Sequence, residues 1–504
     1  MDLGLRRWAN RLISWWDRRR GPDDKGFLEA AYHDLLGRPA DPASQTQALE
    51  SLARGDLTRA AIRTMLLNSP ERQAYESTRQ VYQELLDREP TADERWQGIE
   101  SLQAGGSPDA LRQTVSDTIE YFFRHTPVAP DEEPYHTTHL PYEVWLEPTT
   151  RCNMVPPCTM CGKSASASRK SEHDMDPQIW QDLLPVLSQA RILGLHGGGE
   201  PLFYPHLFDL LEEIDPQQTE VGFNTNGHLL TEKTTRRLIE HQLAWLSVSI
   251  DAATPEMYLR LRRRKDWDRL LARIRRLLEL REQMGSKRPR VELNMTVMRT
   301  NLPQAPRLVE LAAELGVDSV LFQQILPGGR WSLETPDGYL FDYAQEEISQ
   351  CVELHDEMIA QAGARARELG IPLGYEIAYQ GEVEDLAGES VPVVASSKGT
   401  PAASTSLSDP DNTSCNRCTC NIPPEFRCWP PTAMCDEPWT KALISVDGDV
   451  TFCCYHIPDV VLGNVRETPF EEIWNSPRAR TVRALLMGED VPRCCRDCYL
   501  FYEG

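Results

Sequence analysis

Three cysteines, Cys152, Cys158 and Cys161, lie close together in the segment RCNMVPPCTMCGK, residues 151–163. Thiolates are good ligands for soft metal centres. Zinc in a structural site normally has four protein ligands, whereas each iron of a [4Fe–4S] cluster needs only one, so three thiolates leave the fourth iron open to another ligand. Two alternatives stay open for this segment: a zinc site, with His173 as the nearest further ligand, and a set of buried core thiols.

Polar and glycine-rich segments follow the next predicted strands. GGGEP covers residues 197–201, NTNG covers residues 224–227, and Ser249 and Asp251 close the segment SVSID. Glycines let backbone groups approach a ligand closely, and a glutamate offers an anionic partner to an ammonium group. Each polar residue can equally serve as a cap or turn former. Asn294, in the following predicted strand, is a weaker candidate for the same site.

Together these motifs resemble those of the radical S-adenosylmethionine (SAM) superfamily, over roughly residues 140–380. The cysteine spacing of that family is commonly C-x3-C-x2-C, whereas this chain has C-x5-C-x2-C, with Pro156 and Pro157 in the longer gap. Proline restricts the backbone and removes an N–H donor, so we expect the loop to differ in shape from that of the family. The resemblance implies a [4Fe–4S] cluster bound by the three clustered cysteines.

The resemblance also implies a SAM site and a reaction. Gly198, Gly199 and Glu200 would contact the SAM amino group. Further SAM-contacting candidates are Asn224, Asn226, Ser249 and Asp251, with the two asparagines directed to ribose or adenine. In the family, one electron from the cluster cleaves SAM to methionine and a 5′-deoxyadenosyl radical, which removes hydrogen from a substrate C–H bond. That step requires no side-chain acid or base, so we predict no catalytic residue.

Ten of the 14 cysteines lie between residues 415 and 498. The segment 435–498, with the motifs DEPW, DGDVTFCC, LGN and EEIWNS, resembles the SPASM and twitch extensions of radical SAM maturases and dehydrogenases. By motif position, the ligands of an auxiliary iron–sulfur cluster are Cys435, Cys453, Cys495 and Cys498, and the adjacent Cys454 and Cys494 are alternatives. Four thiolates also suit zinc, which stays the alternative metal at this site.

The remaining cysteines and one basic run have weaker interpretations. Four further cysteines could bind a second auxiliary cluster, bind zinc, or have no ligand role. They are Cys415, Cys418, Cys420 and Cys428. Cys351, on a predicted helix, is interpreted as a core thiol. The basic run of residues 262–264 is interpreted as a solvated helix face.

Short apolar runs alternate with helical patterns from about residue 140. The runs are YEVWLEP, RILGLHG, TEVGFNTN, LAWLSVSID, VELNMTVM and VDSVLFQQI. The helical patterns cover residues 176–188, 205–215, 231–240, 255–284, 302–315 and 343–368. Such alternation predicts an α/β fold with a parallel sheet covered by helices. Six units are too few for an eight-stranded barrel, so we predict a partial (β/α)6 barrel.

A repeat with a period of 50 residues precedes this region. YHDLLGRPADPASQTQALESLARGD from Tyr32 aligns with YQELLDREPTADERWQGIESLQAGG from Tyr82. Both copies have helical periodicity broken by a proline-containing loop, which predicts an N-terminal all-α tandem repeat domain with a docking or scaffold role. The repeat resembles a small helical domain that often accompanies bacterial surface-polysaccharide enzymes.

We therefore predict five segments. They are a basic amphipathic helix (1–20), the all-α repeat domain (27–125), the radical SAM partial barrel (140–380), a flexible linker rich in Ser, Ala and Pro (384–414), and a small Cys-rich SPASM-like domain (415–504). The first segment carries six Arg, two Asp and tryptophans at helical spacing, a composition typical of peripheral membrane contact. Docking on the protein's own acidic surface is the alternative.

The formal net charge of −23 argues against a nucleic-acid partner, which would need a basic face. No apolar run is long enough to span a membrane, so the predicted location is cytoplasmic, with peripheral contact at the inner membrane surface through residues 1–20. In that compartment disulfides are disfavoured and clustered thiols indicate metal ligands.

The hypothesis for function is a radical SAM oxidoreductase or maturase that modifies a sugar or glycan precursor or another small molecule. The repeat domain favours the glycan by association only, and it lacks the mixed α/β pattern of the usual peptide-leader-binding domain. Two alternatives are a SPASM-type maturase of a ribosomal peptide or protein and a non-catalytic iron–sulfur scaffold. An electron donor such as flavodoxin or ferredoxin is expected.

Overall fold

The computed structural model describes residues 23–36, 38, 40–116, 121, 124–125, 129–131, 134–164, 172–326, 329, 331–376, 435–453, 460–488 and 495. The chain divides into two compact units, Met1–Thr126 and Pro127–Gly504. Several predictions lie outside the described residues: the helix over 1–20, the linker over 384–414, and the roles of Cys415, Cys418, Cys420, Cys428, Cys454, Cys494 and Cys498. Within the described part, no helix has the length and apolarity needed to cross a bilayer.

The described part of the first unit is helical. Its helices are α1 (Asp24–Leu36), α2 (Pro42–Arg54), α3 (Arg59–Leu67), α4 (Pro70–Leu86), α5 (Ala92–Gln103) and α6 (Pro108–Ser116). The Asp41 carboxylate accepts a hydrogen bond from the Ser44 N–H at the start of α2, and Thr91 forms a capping box with Glu94 at the start of α5. Such caps satisfy N–H groups that a first helical turn leaves unpaired, so the loop residues of each copy determine where the next helix begins.

Equivalent positions of the two repeat copies have matching surroundings. Tyr32 and Tyr82 are both buried, each within its own apolar cluster. The Arg38 guanidinium lies 5.5 Å from the centre of the Tyr32 ring, and that of Arg88 lies 5.4 Å from the centre of the Tyr82 ring. These matching contacts agree with a tandem-repeat domain, which stays a prediction.

The second unit contains a ten-stranded sheet. Its strands are β1 (Glu143–Leu146), β2 (Ile192–Leu195), β3 (Glu220–Thr225), β4 (Trp245–Ser249), β5 (Arg290–Val297), β6 (Ser319–Gln324), β9 (Leu373–Glu376), β10 (Lys441–Ile444), β11 (Asp449–Thr451) and β12 (Gly463–Asn464), whereas β7 (Ser332–Glu334) and β8 (Leu340–Asp342) form a separate hairpin. The strand order is β12-β11-β10-β1-β2-β3-β4-β5-β6-β9. Strands β1 to β6 are parallel neighbours in chain order, which confirms the predicted α/β class with a parallel sheet.

Helices connect the parallel strands, as the sequence pattern predicts. The helices of this unit are α7 (Pro177–Asp182), α8 (Leu184–Leu187), α9 (Leu207–Glu213), α10 (Glu232–Glu240), α11 (Pro255–Arg262), α12 (Trp267–Gln283), α13 (Ala305–Leu315), α14 (Tyr343–Glu346), α15 (Val352–Leu369), α16 (Glu437–Thr440), α17 (Phe470–Trp474) and α18 (Pro477–Leu485). The prediction of one helix over 255–284 was wrong. Arg263 adopts a left-handed φ of 58° and ends α11, so a turn separates α11 from α12.

The two faces of the parallel sheet differ in chemistry, because successive side chains of a strand point to opposite faces. One face is apolar and buried, and it includes Val144, Leu193, Phe223, Leu246 and Leu293. The other, called here the polar face, carries Glu143, Trp145, Glu147, His196, Asn224, Ser247, Ser249, Glu292, Asn294 and Gln323. Much of the polar face is buried, including Glu143, Ser247 and Asn294, and its partly exposed members include Asn224 and Ser249 near the carboxyl ends of their strands.

Strands of the C-terminal segment continue this sheet. β10 pairs in parallel with β1, with Lys441 opposite Glu143, and β11 and β12 add antiparallel strands beyond it. The Trp439 indole donates a hydrogen bond to the Pro134 carbonyl at 2.8 Å. Arg483, which has no exposed surface, donates to the Tyr135 carbonyl at 2.8 Å. The sequence contains no signal of this pairing between the first strand of the unit and a segment nearly 300 residues later.

Candidate functional site

The loop with the three clustered cysteines follows β1 and rests on the end of α11. The Thr159 N–H donates to the Leu261 carbonyl at 2.8 Å, and the Thr159 hydroxyl donates to the Arg260 carbonyl at 2.7 Å. Cys158 is buried, and Cys152 and Cys161 are partly exposed. The carboxyl ends of parallel strands are where α/β proteins bind ligands, so the loop occupies the edge of the sheet that is expected to carry chemistry.

A second segment braces the approach to this loop. The Thr150 N–H donates to the His173 carbonyl at 3.0 Å, and the Arg151 guanidinium pairs with the Asp174 carboxylate at 2.7 Å. The His173 imidazole itself points to the C-terminal segment, with Nε2 2.9 Å from the Asp447 carboxylate. The candidate fourth ligand of a zinc site is therefore engaged by an aspartate.

Two nitrogen donors face the sulfurs of this loop. Asn226 Nδ2 lies 3.8 Å from Cys152 Sγ, and Arg262 Nη1 lies 3.5 Å from Cys158 Sγ. Burial raises the pKa of Cys158 to about 11 and also raises that of Cys152. A buried thiol is ionised only where a metal or a positive charge stabilises the thiolate, and the donors at Asn226 and Arg262 are placed to do so.

The interpretation of the basic run as a solvated face was wrong for its first residue. Arg262 is only 9 % exposed, and its guanidinium pairs with the Asp251 carboxylate at 2.5 Å. Sequence reasoning missed it because consecutive arginines at a helix end look alike without the tertiary contacts. The left-handed turn at Arg263 changes the chain direction immediately after Arg262.

The glycine-rich segment GGGEP packs directly against the approach to the cysteine loop. The Glu200 N–H donates to the Arg151 carbonyl at 2.8 Å. A Cβ added to Gly199 would collide with the backbone oxygens of Thr149 and Arg151, whereas one added to Gly198 would meet only the Glu147 carboxylate, at 3.6 Å. Gly199 is therefore a packing requirement, and Gly198, which is exposed, leaves backbone surface available to a ligand.

The Glu200 carboxylate is directed into the sheet edge. It is buried and accepts hydrogen bonds from the Thr225 hydroxyl and the Asn226 N–H, both at 2.7 Å. Burial raises the pKa of Glu200 to about 7. The side chain thus joins the GGGEP segment to the NTNG segment, and its predicted contact with the SAM amino group stays a prediction.

Asp251 has a similar internal role. It adopts a left-handed φ of 54°, is 1 % exposed, and accepts a hydrogen bond from the Thr296 N–H at 2.7 Å. Burial raises the pKa of this carboxyl group, against the opposing effect of Arg262. The predicted contact of Asp251 with SAM stays a prediction.

The other predicted SAM contacts lie on the polar face. Asn224 and Ser249 are partly exposed, and neither has a side-chain hydrogen bond to another described residue. The buried Asn294 donates its amide N–H to Gln323. Asn224 and Ser249 are therefore the predicted contacts whose polar groups are least committed within the described structure.

Glu147 is a further residue that sequence reasoning missed. One carboxylate oxygen accepts from the Gly198 N–H at 2.7 Å, and the other accepts from the Val446 N–H at 3.3 Å. It therefore connects the glycine-rich segment to the turn between β10 and β11. Its position one residue after β1, on the polar face, is the only sequence signal that could have identified it.

A hydrophobic cover encloses the cysteine loop on another side. The Trp331 indole donates to the Thr159 carbonyl at 3.2 Å. Met160, between two of the cysteines, packs with Trp331 against the cluster formed by Leu261, Met298, Ile325, Phe341 and Tyr343. The β7–β8 hairpin contributes Phe341 and thereby excludes water from this side of the loop.

Two described C-terminal cysteines, Cys435 and Cys453, lie at the opposite edge of the sheet. Cys453 follows the end of β11, and Cys435 precedes α16, which leads into the start of β10. Burial raises the pKa of Cys435 well above its ordinary value, and the carboxylates of Glu437 and Asp436 raise it further. Strands rise about 3.3 Å per residue, so the four residues of β1 separate these thiols from the first cysteine loop by roughly 13 Å along the strand direction.

The residues at the first loop fit a [4Fe–4S] cluster with one open iron. The described part of the chain contains no group of three His, Cys, Asp or Glu side chains gathered around a single metal ion. The loop does supply three thiols, a hydrophobic cover, and two N–H donors directed at sulfur. Hydrogen bonds to sulfur and burial are the features that tune such clusters.

Comparisons with known proteins identify two domains. The family described as the Radical SAM superfamily matches residues 146–312, and the SPASM family, described as an iron-sulfur cluster-binding domain, matches residues 435–499. These matches cover the first cysteine loop and the described C-terminal cysteines.

Individual relatives are distant. The tungsten-containing aldehyde ferredoxin oxidoreductase cofactor-modifying protein of Pyrococcus furiosus is 28% identical over 36% of this chain, and the match spans about half, 51%, of that relative. The AdoMet-dependent heme synthase of Methanosarcina barkeri is 25% identical over 72% of this chain and 89% of the synthase. The solved structure of Streptococcus suis SuiB bound to precursor peptide SuiA is 14% identical, covers 82% of this chain and 77% of SuiB, and has a TM-score of 0.45.

The two family matches agree with the chemistry expected of the thiol-lined loop after β1. The first domain implies a [4Fe–4S] cluster and SAM, and the second implies auxiliary iron–sulfur ligation. The chain accordingly contains a radical SAM domain and a C-terminal SPASM domain, and these domains imply SAM, a [4Fe–4S] cluster and an auxiliary iron–sulfur cluster as cofactors.

Proposed function

We propose that this enzyme oxidatively modifies a polar small molecule, and that a sugar or glycan precursor is the substrate class. The observation that carries the proposal is the polar face of the sheet. Its partly exposed side chains Asn224 and Ser249 offer an amide and a hydroxyl group at the edge of the sheet that carries the cysteine loop, and neither makes a side-chain hydrogen bond to another described residue. Such groups suit a ligand with several hydroxyls, because each donor and acceptor of a polar ligand needs a partner in a water-poor site.

The alternation of polar and apolar faces also supports the partial (β/α)6 barrel. In that architecture the six parallel strands curve so that the polar face lines the interior and the apolar face packs against the helices. We also propose that the chain has the five segments predicted from the sequence, including the repeat domain over residues 27–125.

The residues of the chain hold, orient and shield the reacting groups. When bound, the first cluster would supply an electron for the reductive cleavage of SAM, and the auxiliary cluster would supply a second one-electron redox centre. Cys152, Cys158 and Cys161 hold the first cluster, and Cys435, Cys453, Cys495 and Cys498 hold the second. Gly198 exposes backbone groups to SAM, and the cover around Met160 and Trp331 keeps water from the loop.

The names of the relatives divide between the two substrate classes, because several relatives are named mycofactocin maturases, which favours the maturase, whereas two others favour a small molecule. One relative is described as a cofactor-modifying protein and another as a heme synthase, and neither description names a peptide. The first alternative function is maturation of a ribosomal peptide or protein. The second alternative is a non-catalytic iron–sulfur scaffold.

Transfer of deuterium to 5′-deoxyadenosine tests the proposal. Reconstituted protein is incubated anaerobically with SAM, dithionite and either deuterated sugar precursors or deuterated precursor peptides. Label from a sugar precursor is the expected result, and Cys158→Ala protein serves as the control. If deuterium reaches 5′-deoxyadenosine only from peptides, the protein is a maturase and the proposal is wrong. If no candidate leads to 5′-deoxyadenosine, the protein is a non-catalytic scaffold.

Two accessory features belong to the same proposal. An electron donor such as flavodoxin or ferredoxin would reduce the cluster, and the basic segment 1–20 would contact the inner membrane surface from the cytoplasm. Liposome flotation of the full chain and of a chain without residues 1–20 tests the second feature. Equal binding of both proteins to anionic vesicles would contradict it.

A further inference from the structure

Arg262 is a buried arginine with two partners of different chemistry. Nη2 lies 2.5 Å from an Asp251 carboxylate oxygen, and Nη1 lies 3.5 Å from the sulfur of Cys158. Arginine side chains are almost never fully buried without a partner. A guanidinium is planar and presents its donors in a fixed geometry, so a single side chain can reach both groups at once.

The contacts around Arg262 hold the guanidinium in this position. Arg262 is the last residue of α11, and the left-handed Arg263 ends the helix there. The Asp251 carboxylate is itself fixed, because its other oxygen accepts from the Thr296 N–H at 2.7 Å. Asn301 also donates to the Asp251 carbonyl at 3.0 Å. The carboxylate cannot rotate away without losing the bond from Thr296, and the bond from Asn301 holds the backbone of Asp251 in place.

The charges explain why such a pair has a use beyond stability. A buried ion pair is weak evidence for stabilisation, because removing two charges from water is expensive. Asp251 and Arg262 together are neutral, and Cys158 becomes an anionic thiolate when it binds iron. A hydrogen bond from a cation to that sulfur withdraws electron density from the cluster and favours its reduced state.

We propose that Arg262 is a positioning residue that raises the reduction potential of the cluster bound by Cys152, Cys158 and Cys161, and that Asp251 moderates this effect by neutralising part of its charge. The inference depends on cluster binding and not on the identity of the substrate. It assigns opposite effects to the two members of one ion pair. Removing the guanidinium makes reduction harder, and removing the carboxylate charge makes reduction easier.

Redox titration of the reconstituted protein, followed by electron paramagnetic resonance without SAM, measures this effect. The signal of Cys158→Ala protein is subtracted so that the auxiliary cluster does not contribute. For Arg262→Gln we expect a roughly tenfold less favourable reduction equilibrium, which is about 59 mV for one electron. For Asp251→Asn, whose amide oxygen can still accept from Thr296, we expect a shift of opposite sign.

Arg260→Gln is the matched control. Arg260 lies on the same helix, but it pairs with Asp337 at 2.8 Å and makes no sulfur contact, so the potential should stay unchanged. Iron content identifies any variant that loses the cluster. If Arg262→Gln loses it, the sign of the change in reduction potential in Asp251→Asn tests the inference.

Two results would overturn the inference. One is an Arg262→Gln protein with full iron content and an unchanged potential. The other is an Asp251→Asn shift toward harder reduction. If Arg262→Gln keeps its potential but binds SAM more weakly, Arg262 is a SAM ligand and not a tuning residue.

Discussion

Gly198 and Gly199 are adjacent in sequence and differ in what they permit. The space beside the Gly199 Cα is occupied by the backbone oxygens of Thr149 and Arg151, which cannot move without shifting the approach to Cys152. The space beside Gly198 is open except for one flexible carboxylate. A motif that reads as three equal glycines therefore contains one residue fixed by packing and one that is free for a ligand.

We predict that Gly199→Ala disrupts the cysteine loop and that Gly198→Ala leaves it intact. The added methyl group at position 199 must displace backbone, so the melting temperature and the iron content should both fall. Iron analysis and thermal unfolding of the two variants, prepared in parallel without oxygen, check this. Equal iron content and melting temperature in both variants would contradict the packing argument.

The three clustered cysteines lead to a prediction about iron content. Cys158→Ala removes one of three ligands to the first cluster, so iron should fall by about four atoms per chain while the auxiliary cluster stays. Cys351→Ala is the matched control, because Cys351 lies at the start of α15 and its Sγ is directed at the Glu347 carbonyl. Zinc in place of iron at these thiols would refute the ligand assignment.

At the scale of elements, a layer of aromatic rings crosses the polar face of the sheet. The His196 ring lies between those of Trp145 and Trp245, with centroid distances of 4.5 and 5.3 Å. Gly194 and Gly222 make room for the layer, because an added Cβ at either position would collide with these rings. Burial lowers the pKa of His196 to about 3, so the ring is neutral in the folded protein.

This layer predicts a specific loss of stability in acid. The folded-state pKa lies below the ordinary value of 6.5, so protons bind the unfolded chain more readily and stability falls as the pH drops below 6.5. The free energy of unfolding should fall by about 1.4 kcal/mol for each unit below 6.5, until the pH nears the folded-state value. Thermal unfolding between pH 7.5 and 5 should show a weaker pH dependence for His196→Phe, which retains a stacking ring.

Acid also degrades iron–sulfur clusters in both proteins. The contribution of His196 is therefore the difference between the pH dependence of unfolding of the variant and that of the parent. His206→Phe replaces an exposed histidine, which pairs with Asp209, and serves as the control. A His196→Phe protein with the same pH dependence as the parent would show that the ring is not the titrating group.

At the scale of the whole molecule, the SPASM segment completes the sheet of the radical SAM domain. β10 covers the edge of β1, and Glu147 links the glycine-rich segment to the β10–β11 turn. An uncovered strand edge presents unpaired N–H and C=O groups and promotes association. The C-terminal segment is therefore structural for the first domain as well as a source of cluster ligands.

We predict that a chain ending after residue 376 is insoluble or aggregates, because the edge of β1 and the groups that contact Trp439 and Arg483 become exposed. A chain beginning at residue 127 is the control, since it retains the second compact unit. Soluble yield and size-exclusion profiles check both. A truncated chain that stays monomeric, with the melting temperature of the parent, would contradict this prediction.

Local structure and the chemistry of candidate ligands could be read from the amino-acid sequence. Cysteine spacing predicted a set of ligands, which stays a prediction, and period-two and helical patterns gave the parallel α/β class. The GGGEP segment follows β2, and the NTNG segment spans the end of β3. These features are readable because backbone conformation and ligand chemistry depend mainly on neighbouring residues. The single helix over 255–284 and the solvated Arg262 were wrong, because both depend on one left-handed residue, Arg263, which no periodicity reveals.

Only the tertiary structure decided which residues meet across the chain. The pairing of β10 with β1, the shared carboxylate of Glu147 and the contact of Arg262 with Cys158 each join residues that are far apart in sequence. Composition and spacing are silent about such contacts, because their partners are selected by the packing of the complete sheet and not by local propensity. For the same reason, the roles of Gly199 and Glu200 could be divided between packing and ligand contact only after the backbone around them was known.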